Sequence, residues 1–149
     1  MKFSAKGEYG IRAVLDIALH FGEGPIQVRE IARRQVIPER FLEQVMASLK
    51  KAGLVESVRG AQGGYLLTRS PARISLADVV QALEGRIAPM ECVSEETLKR
   101  CEQVDLCVVR DVWKEVQNSI VDALDSITVE DLVKKQKQRE QKVVSMYHI

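Results

Sequence analysis

The chain has 149 residues, 46% of them hydrophobic, and its 22 Lys and Arg nearly balance its 21 Asp and Glu, for a formal net charge of +1. This composition predicts one domain, or one small domain with an extension, with enough apolar residues for a core. No apolar run follows a charged N-terminal start, and no stretch reaches the roughly eighteen apolar residues of a membrane span. We therefore expect a cytoplasmic protein, in which structural disulfides are disfavoured.

Charge is segregated along the chain. Residues 1–75 contain 12 Lys and Arg against 7 Asp and Glu, a net of +5, whereas residues 76–133 contain 5 against 13, a net of −8. Residues 134–149 are basic again, with 5 against 1. A basic N-terminal half favours an anionic partner such as DNA, and the acidic middle would repel phosphates.

Three helices are predicted in the basic half. Apolar spacings of three and four predict a first amphipathic helix over residues 6–21, with Phe21 on its apolar side, ending at Gly22. A short second helix is predicted around Ile31. A turn over residues 34–38 follows it, and then a third helix that ends at Gly53. The inner face of the third helix is formed by Phe41, Leu42, Val45, Met46, Leu49 and Ala52. Two helices joined by a tight turn predict a helix-turn-helix that places its second helix in a DNA major groove.

A β-hairpin is predicted immediately after the third helix. Short strands over residues 54–58 and 65–68 flank a glycine-rich turn that begins with Arg59. A helix-turn-helix followed by such a hairpin is a winged helix, and the wing would lay Arg59 along the DNA backbone or in a narrow minor groove. The same elements can also form a protein-binding module, but the basic charge and Arg59 together favour DNA.

The acidic middle of the chain begins and ends with helices. Ser75 and Asp78 have the pattern of a capping box that opens a helix ending at Gly85. After residue 107, an apolar stripe over about five turns predicts a long helix that pairs with its twin in a homodimer. Packing within its own chain is the alternative. The stripe contains Val109, Val112, Trp113, Val116, Ile120, Val121 and Leu124. Thr128 opens a further, short helix.

Three cysteines lie between these helices. Cys92, Cys101 and Cys107 follow the spacing C-x(8)-C-x(5)-C in a polar stretch, and the chain has no other cysteine. Tetrahedral metal sites and iron–sulfur clusters usually take four protein ligands, so the trio predicts a metal site whose fourth ligand is a different residue. Redox thiol chemistry and inert buried cysteines are the alternatives. No histidine lies near a cysteine in sequence to act as a base, so no enzyme is predicted.

Three segments together resemble the IscR/NsrR/RirA/CymR family of bacterial winged-helix repressors. They are residues 1–13 (MKFSAKGEYGIRA), 41–55 (FLEQVMASLKKAGLV) and 57–67 (SVRGAQGGYLL). The resemblance continues through the cysteine segment to about residue 135. In this family IscR-like and NsrR-like members carry three cysteines here and bind an iron–sulfur cluster, whereas CymR-like members lack them. By this criterion the chain resembles the cluster-binding members.

The resemblance also implies residue roles. Arg40, Glu43 and Gln44 would read base edges from the third helix, and Arg59 would be the wing residue in the minor groove. Glu43 suits a cytosine amino group and Gln44 an adenine edge. Arg40 stands where related sequences often have a small polar residue, so we expect a preferred DNA sequence that differs from that of IscR.

The fourth cluster ligand departs from the IscR pattern. IscR-like proteins use a histidine three residues after the last cysteine, but here that position is Arg110, which stays protonated and cannot ligate iron. NsrR-like sensors take an acidic residue from the first segment of the partner subunit, at the position of Glu8. Glu8 is therefore the predicted fourth ligand, with a surface glutamate at the start of the first helix as the alternative. A carboxylate binds iron less tightly than a thiolate and exchanges more readily.

These observations lead to one functional prediction. Residues 1–75 form a winged helix-turn-helix DNA-binding domain, residues 76–108 a connecting helix and cluster-binding loop, and residues 109–149 a dimerisation helix and C-terminal tail. The fold is mainly α with a small β-hairpin. The protein is predicted to be a homodimeric transcription regulator controlled by an iron–sulfur cluster, 2Fe-2S by similarity to IscR with 4Fe-4S as the other choice, and to regulate cluster-assembly genes. A nitric oxide, iron or redox responsive repressor, and a winged helix with zinc, are the alternatives.

Overall fold

The computed structural model describes residues 2–94 and 101–148. Residues 95–100, in the middle of the predicted cluster-binding loop, lie outside the described residues. Within the described ranges the fold is mainly helical, with one antiparallel hairpin, as predicted. The helices are α1 (Ala5–Leu19), α2 (Val28–Gln35), α3 (Glu39–Lys51), α4 (Leu76–Glu84), α5 (Val108–Asp125) and α6 (Val129–Tyr147), and the strands are β1 (Val55–Val58) and β2 (Gly64–Leu67).

Helix α1 packs closely against α4 because the residue of α1 at the contact, Gly10, has no side chain. A Cβ at Gly10 would overlap the Leu83 side chain of α4, so only glycine permits this approach. The N-terminus of α1 is capped by Ser4, whose hydroxyl accepts from the Gly7 amide and donates to the Glu84 carboxylate at 2.6 Å. The start of α1 is thus fixed to the end of α4.

The helix-turn-helix is built around one apolar core. Val36 adopts the left-handed conformation, φ 54°, and lets the chain turn sharply between α2 and α3. The predicted inner face of α3 is largely confirmed, although Ala52 is exposed. Phe21 was predicted on the apolar side of α1 but is 52% exposed, because α1 ends at Leu19 and the chain turns before Phe21 can reach the core. The most deeply buried side chains include Val14, Ile31, Leu42, Val45, Met46, Leu49, Ile74 and Val79.

The wing is a two-stranded hairpin that is joined to the rest of the domain along one edge of β2. Val55 pairs with Leu67 and Val58 with Gly64 across the hairpin. On the other edge of β2, the backbones of Tyr65 and Ile26 exchange hydrogen bonds at 2.8 and 3.0 Å. The hairpin is therefore a stable projection from the helix-turn-helix, because β2 is paired on both edges.

Helices α4 and α6 start side by side. Ser75 and Asp78 form the predicted capping box on α4, and Thr128 and Asp131 form a second one on α6. A backbone bridge joins Ser75 to Thr128, and Val129 is buried in the core at 1% exposure. The C-terminal helix thus begins inside the winged-helix core.

The last two helices differ in how they use this core. Helix α5 contains no buried residue, and Val109 and Val112 are both 56% exposed. Helix α6 is longer than predicted and continues to Tyr147, because residues 134–142 are mostly Lys, Gln, Arg and Glu, which favour helix without needing burial. Over residues 2–94 and 101–148, no helix has the length and apolar character needed to cross a membrane.

Candidate DNA-binding surface and cysteine site

The outward face of α3 carries the predicted base-reading side chains. Arg40, Glu43 and Gln44 are all exposed, at spacings of three and four that place them on one face of the helix. Their buried neighbours Leu42, Val45 and Met46 fix that face by packing inward. Within the described residues, none of the three predicted readers has a side-chain hydrogen bond or ion pair. The surface is therefore open to a partner along the first two turns of α3, which are the turns that contact bases in helix-turn-helix proteins.

The wing presents Arg59 to solvent. Arg59 directly follows β1 and is exposed at the start of the turn. Two side-chain contacts fix the wing relative to the helices: Lys50 at the end of α3 donates to Ser57 at 2.7 Å, and Gln27 before α2 donates to the Ala61 carbonyl at 3.2 Å. The wing and α3 therefore form one connected surface. Gln27 and Lys50 were missed in the sequence because only the hairpin register identifies their acceptors.

The three cysteines are free thiols in different surroundings. Cys92 lies in a short 3-10 turn, Glu91–Val93, and is half-buried. Cys107 is also half-buried and is the N-cap of α5, whereas Cys101 is exposed. In the part of the chain that the structure describes, no group of three or more His, Cys, Asp or Glu residues is arranged to hold a metal ion. The thiols fit an iron–sulfur cluster by their chemistry, since thiolates are its usual ligands, but the chain alone does not gather all three.

Two α5 side chains hold the segment that contains Cys92. The Nε of Arg110 donates to the Cys92 carbonyl at 3.0 Å. The Nε2 of Gln117 donates to the Ile87 carbonyl at 2.7 Å and to the Val93 carbonyl at 3.3 Å. Arg110 and Gln117 are seven residues apart, two turns along one face of α5. The arginine that replaces the expected histidine therefore has a structural contact with the first cysteine.

Glu8 lies in the first turn of α1, with its side chain 69% exposed. Within this chain its carboxylate is 3.8 Å from the guanidinium of Arg12, one turn further along α1. Arg12 also donates to the carbonyl of Gln35, the last residue of α2. Among the described residues, Glu8 makes no contact with a cysteine of its own chain. It is, however, connected through Arg12 to the turn of the helix-turn-helix.

A buried ion pair next to this turn was missed in the sequence. Asp16 in α1 is 1% exposed and accepts from Arg34 at 2.7 and 3.0 Å and from Gln35 at 3.0 Å. The hydrogen bonds that Arg34 donates to Asp16 raise the pKa of Arg34 above its ordinary value, while partial burial opposes the shift. A signal was present, since Asp16 falls between Ala13 and Ile17 on the apolar side of α1. The pair joins α1 to the end of α2.

The chain was compared with known protein families and curated proteins. Residues 3–135 match the Rrf2 family, described as iron-dependent transcriptional regulators. The chain is 40% identical over 136 residues to the transcriptional regulator IscR of Xenorhabdus nematophila, covering 91% of this chain and 81% of that protein. It is 38% identical over 132 residues to the transcriptional regulator CymR of Bacillus subtilis, covering 89% of each.

Solved structures give the same result. The structure of CymR, the global cysteine regulator of B. subtilis, superimposes with a TM-score of 0.74. The match covers 91% of this chain and 98% of the CymR chain. IscR of T. potens also has a TM-score of 0.74, with 43% identity, and covers 93% of this chain and 90% of its own. Regulators of this family bind operator DNA, typically as dimers. The chain belongs to the Rrf2 family of winged helix-turn-helix, DNA-binding transcription regulators and is not an enzyme.

Proposed function

We propose that this protein is a homodimeric repressor whose affinity for operator DNA is controlled by an iron–sulfur cluster, and that it regulates genes for cluster assembly. The observation that carries the proposal is the presence of three free thiols between the winged helix and an uncovered helix. CymR-like members of the family are expected to lack these cysteines, so the trio favours an IscR-like function.

Cys92, Cys101 and Cys107 are the proposed thiolate ligands. Cys107 is half-buried at the start of α5, Cys92 is half-buried in the Glu91–Val93 turn that Arg110 contacts, and Cys101 is exposed. A bound cluster would supply a redox-active centre. Its loss or oxidation would release or rearrange the cysteine ligands. Similarity to IscR favours 2Fe-2S over 4Fe-4S.

Glu8 of the partner subunit is the proposed fourth ligand. Its side chain is exposed, and among the described residues its one ionic contact is the 3.8 Å pair with Arg12, a weak surface interaction that a better partner can replace. Arg12 also donates to Gln35 at the end of α2, so a change in the partner of Glu8 reaches the turn between α2 and α3. This contact chain supports communication between the ligand set and the DNA-binding surface.

The proposed DNA contacts lie on α3 and the wing. Arg40, Glu43 and Gln44 read base edges in the major groove, and Arg59 enters the minor groove. Their exposure, and the lack of intramolecular partners for these four side chains in the described ranges, support the assignment. Two copies of this surface, related by a dimer axis, would recognise a palindromic operator with half-sites one DNA turn apart, about 34 Å.

Helix α5 is the proposed dimer contact. Its apolar residues Val108, Val109 and Val112 are 75%, 56% and 56% exposed at the start of the helix, and the apolar side chains further along it are half-buried. Burial of such a stripe against a second copy removes apolar area from water, which is the main driving force for stable association.

The decisive experiment is anaerobic purification of the full-length protein, followed by iron, sulfide and zinc analysis with visible and electron paramagnetic resonance spectra. The expected result is visible charge-transfer absorption with matching iron and sulfide. A colourless protein with one zinc per chain would instead support a structural zinc site. Operator binding by the loaded and cluster-free forms, with nitric oxide or an oxidant added, then separates cluster supply from nitric oxide, iron or redox sensing.

Glu8→Ala tests the fourth ligand. We expect an altered cluster spectrum and faster cluster loss, because one ligand position is left to solvent. Glu23→Ala is the matched control, since it removes another exposed glutamate near the other end of α1. An unchanged spectrum and stability in Glu8→Ala would exclude Glu8 and direct attention to His148 or a non-protein ligand.

Arg59→Ala tests the wing. At equal salt we expect operator affinity to fall about tenfold, in line with the 1–3 kcal/mol typical of such arginine contacts. Lys142→Ala, which removes one exposed positive charge from the far end of α6, is the control. Equal losses in the two variants would indicate a general charge effect and not a wing contact.

A further inference from the structure

Arg110 stands at the position of the expected histidine ligand, and it also contacts the backbone of Cys92. Arg110 is half-buried and lies three residues after Cys107, the N-cap of α5. Its Nε–H donates to the backbone carbonyl of Cys92 at 3.0 Å, eighteen residues earlier in the chain. One side chain therefore connects the first cysteine to the helix turn that begins at the third.

We infer that Arg110 is a positioning residue that sets Cys92 relative to Cys107 before any metal is bound. This inference rests on the proposed function, because it assigns these two thiols to one site. Cys101 lies outside the contact, is exposed, and follows the residues that the structure does not describe. The ligand set thus consists of a prearranged pair and a third cysteine that joins it.

Gln117 strengthens the same contact from two turns further along α5. It donates to Val93, the residue next to Cys92, and to Ile87 at the beginning of the segment. We call Arg110, Gln117 and their three carbonyl acceptors the α5 clamp. A single hydrogen bond would let the segment pivot, whereas contacts at Ile87, Cys92 and Val93 restrict it along its length.

Arginine suits this role for a chemical reason. Its guanidinium is always protonated and carries donors only, so it can hold a carbonyl at any physiological pH and cannot compete for iron. A histidine at position 110 would be free to ligate but would be a donor at Nδ1 or Nε2 depending on its tautomer. This chain therefore has a fixed donor where IscR-like relatives are expected to have a ligand.

The test uses Co²⁺ as a probe of the cluster-free, full-length protein. Thiolate coordination of Co²⁺ gives visible charge-transfer absorption, so affinity can be measured without iron, sulfide or DNA. We expect Arg110→Met to weaken Co²⁺ binding about tenfold, since a charged hydrogen bond is lost while the aliphatic stem is kept. Arg110→Gln retains a neutral donor and should give an intermediate loss.

Lys114→Met is the matched control, because it removes one exposed cation from α5 between the two clamp residues. Its Co²⁺ affinity should equal that of the parent. Equal affinities of Arg110→Met and the parent would overturn the clamp, and equal losses in Arg110→Met and Lys114→Met would assign the effect to charge. The thermal midpoint of each cluster-free variant identifies any that fails to fold, and Gln117→Ala then provides the independent test, with a smaller loss of Co²⁺ affinity expected.

The two hypotheses can fail separately. If the parent holds no iron and sulfide but Arg110→Met still weakens Co²⁺ binding, the clamp stands and the cluster proposal fails. If the parent holds a cluster and Arg110→Met neither weakens Co²⁺ binding nor speeds cluster loss, the cluster proposal stands and the clamp is wrong.

Discussion

The winged-helix region and the α5 region are stabilised in different ways. The first region encloses its own core, in which Leu42, Val45, Met46 and Leu49 of α3 are fully buried. Helix α5 has no buried residue; it packs against α4 and the Glu91–Val93 turn, and Arg110 and Gln117 add polar contacts. The DNA-binding half is therefore complete as a single chain, whereas α5 and the cysteines are arranged to receive something further.

This difference fits a regulator. A DNA-reading surface must keep its shape, because base contacts depend on well-positioned side chains. A sensing region must respond to its ligand, and few buried contacts make a region easier to rearrange.

A core substitution in α3 should have the largest effect. Leu42→Ala removes a side chain with 0% exposure and should lower the free energy of unfolding by about 2–5 kcal/mol. Val112→Ala, at a 56% exposed position in α5, should leave the unfolding of the winged helix nearly unchanged. Chemical denaturation at low protein concentration measures both. Equal losses would mean that the two regions form one cooperative core.

The second prediction concerns association through α5. Val112→Asp places a charge on the apolar surface and should weaken dimerisation at least tenfold, about 1.4 kcal/mol. Asn118→Asp adds the same charge to another side of the helix and should leave the dimer intact. Analytical ultracentrifugation measures the dissociation constant. An unaffected dimer in Val112→Asp would place the interface elsewhere.

A smaller effect is expected at the junction between the regions, where α6 begins. Thr128→Ala removes the side chain that accepts from the Asp131 amide at 3.1 Å and should cost about 1 kcal/mol of unfolding free energy. Ser126→Ala, two residues earlier, removes an exposed hydroxyl outside the capping box and serves as the control. Similar denaturation curves for Thr128→Ala and the parent would mean that Val129 alone fixes the start of α6.

The smallest predicted effect is a pH dependence at the same cap. Hydrogen bonds from Thr128 lower the pKa of Asp131 below its ordinary value of 3.8. The charged form is therefore favoured by folding, and its contribution is present above pH 4 and is lost as pH falls through the lowered pKa. Asp131→Asn should flatten this part of the stability profile, on the acid side of about pH 4. A parent profile that matches the variant would contradict the prediction.

The local patterns were read correctly wherever one short segment carried the signal. The capping boxes at Ser75 and Thr128, the left-handed Gly53 and the hairpin over Val55–Leu67 follow from neighbouring residues, which determine caps and turns. Phe21 was misplaced because periodicity does not specify where a helix stops. The length of α6 was underestimated because a polar helix has no apolar stripe to reveal it.

The contacts of Arg110 show what local patterns leave out. Its incompatibility with iron followed from the sequence, since guanidinium chemistry does not depend on the fold. Its hydrogen bond to Cys92 could not be predicted from the sequence. The acceptor is eighteen residues away, and this spacing matches no helix or strand period.

By itself the sequence determined the family, the order of helices and wing, and the three thiols without a fourth protein cysteine. These are properties of residue identity and short-range spacing. Only the tertiary structure decided which cysteines are held by α5, that Asp16 and Arg34 join α1 to the helix-turn-helix, and that Val108, Val109 and Val112 at the start of α5 are exposed. Such contacts depend on how distant segments pack, and packing is a property of the whole chain.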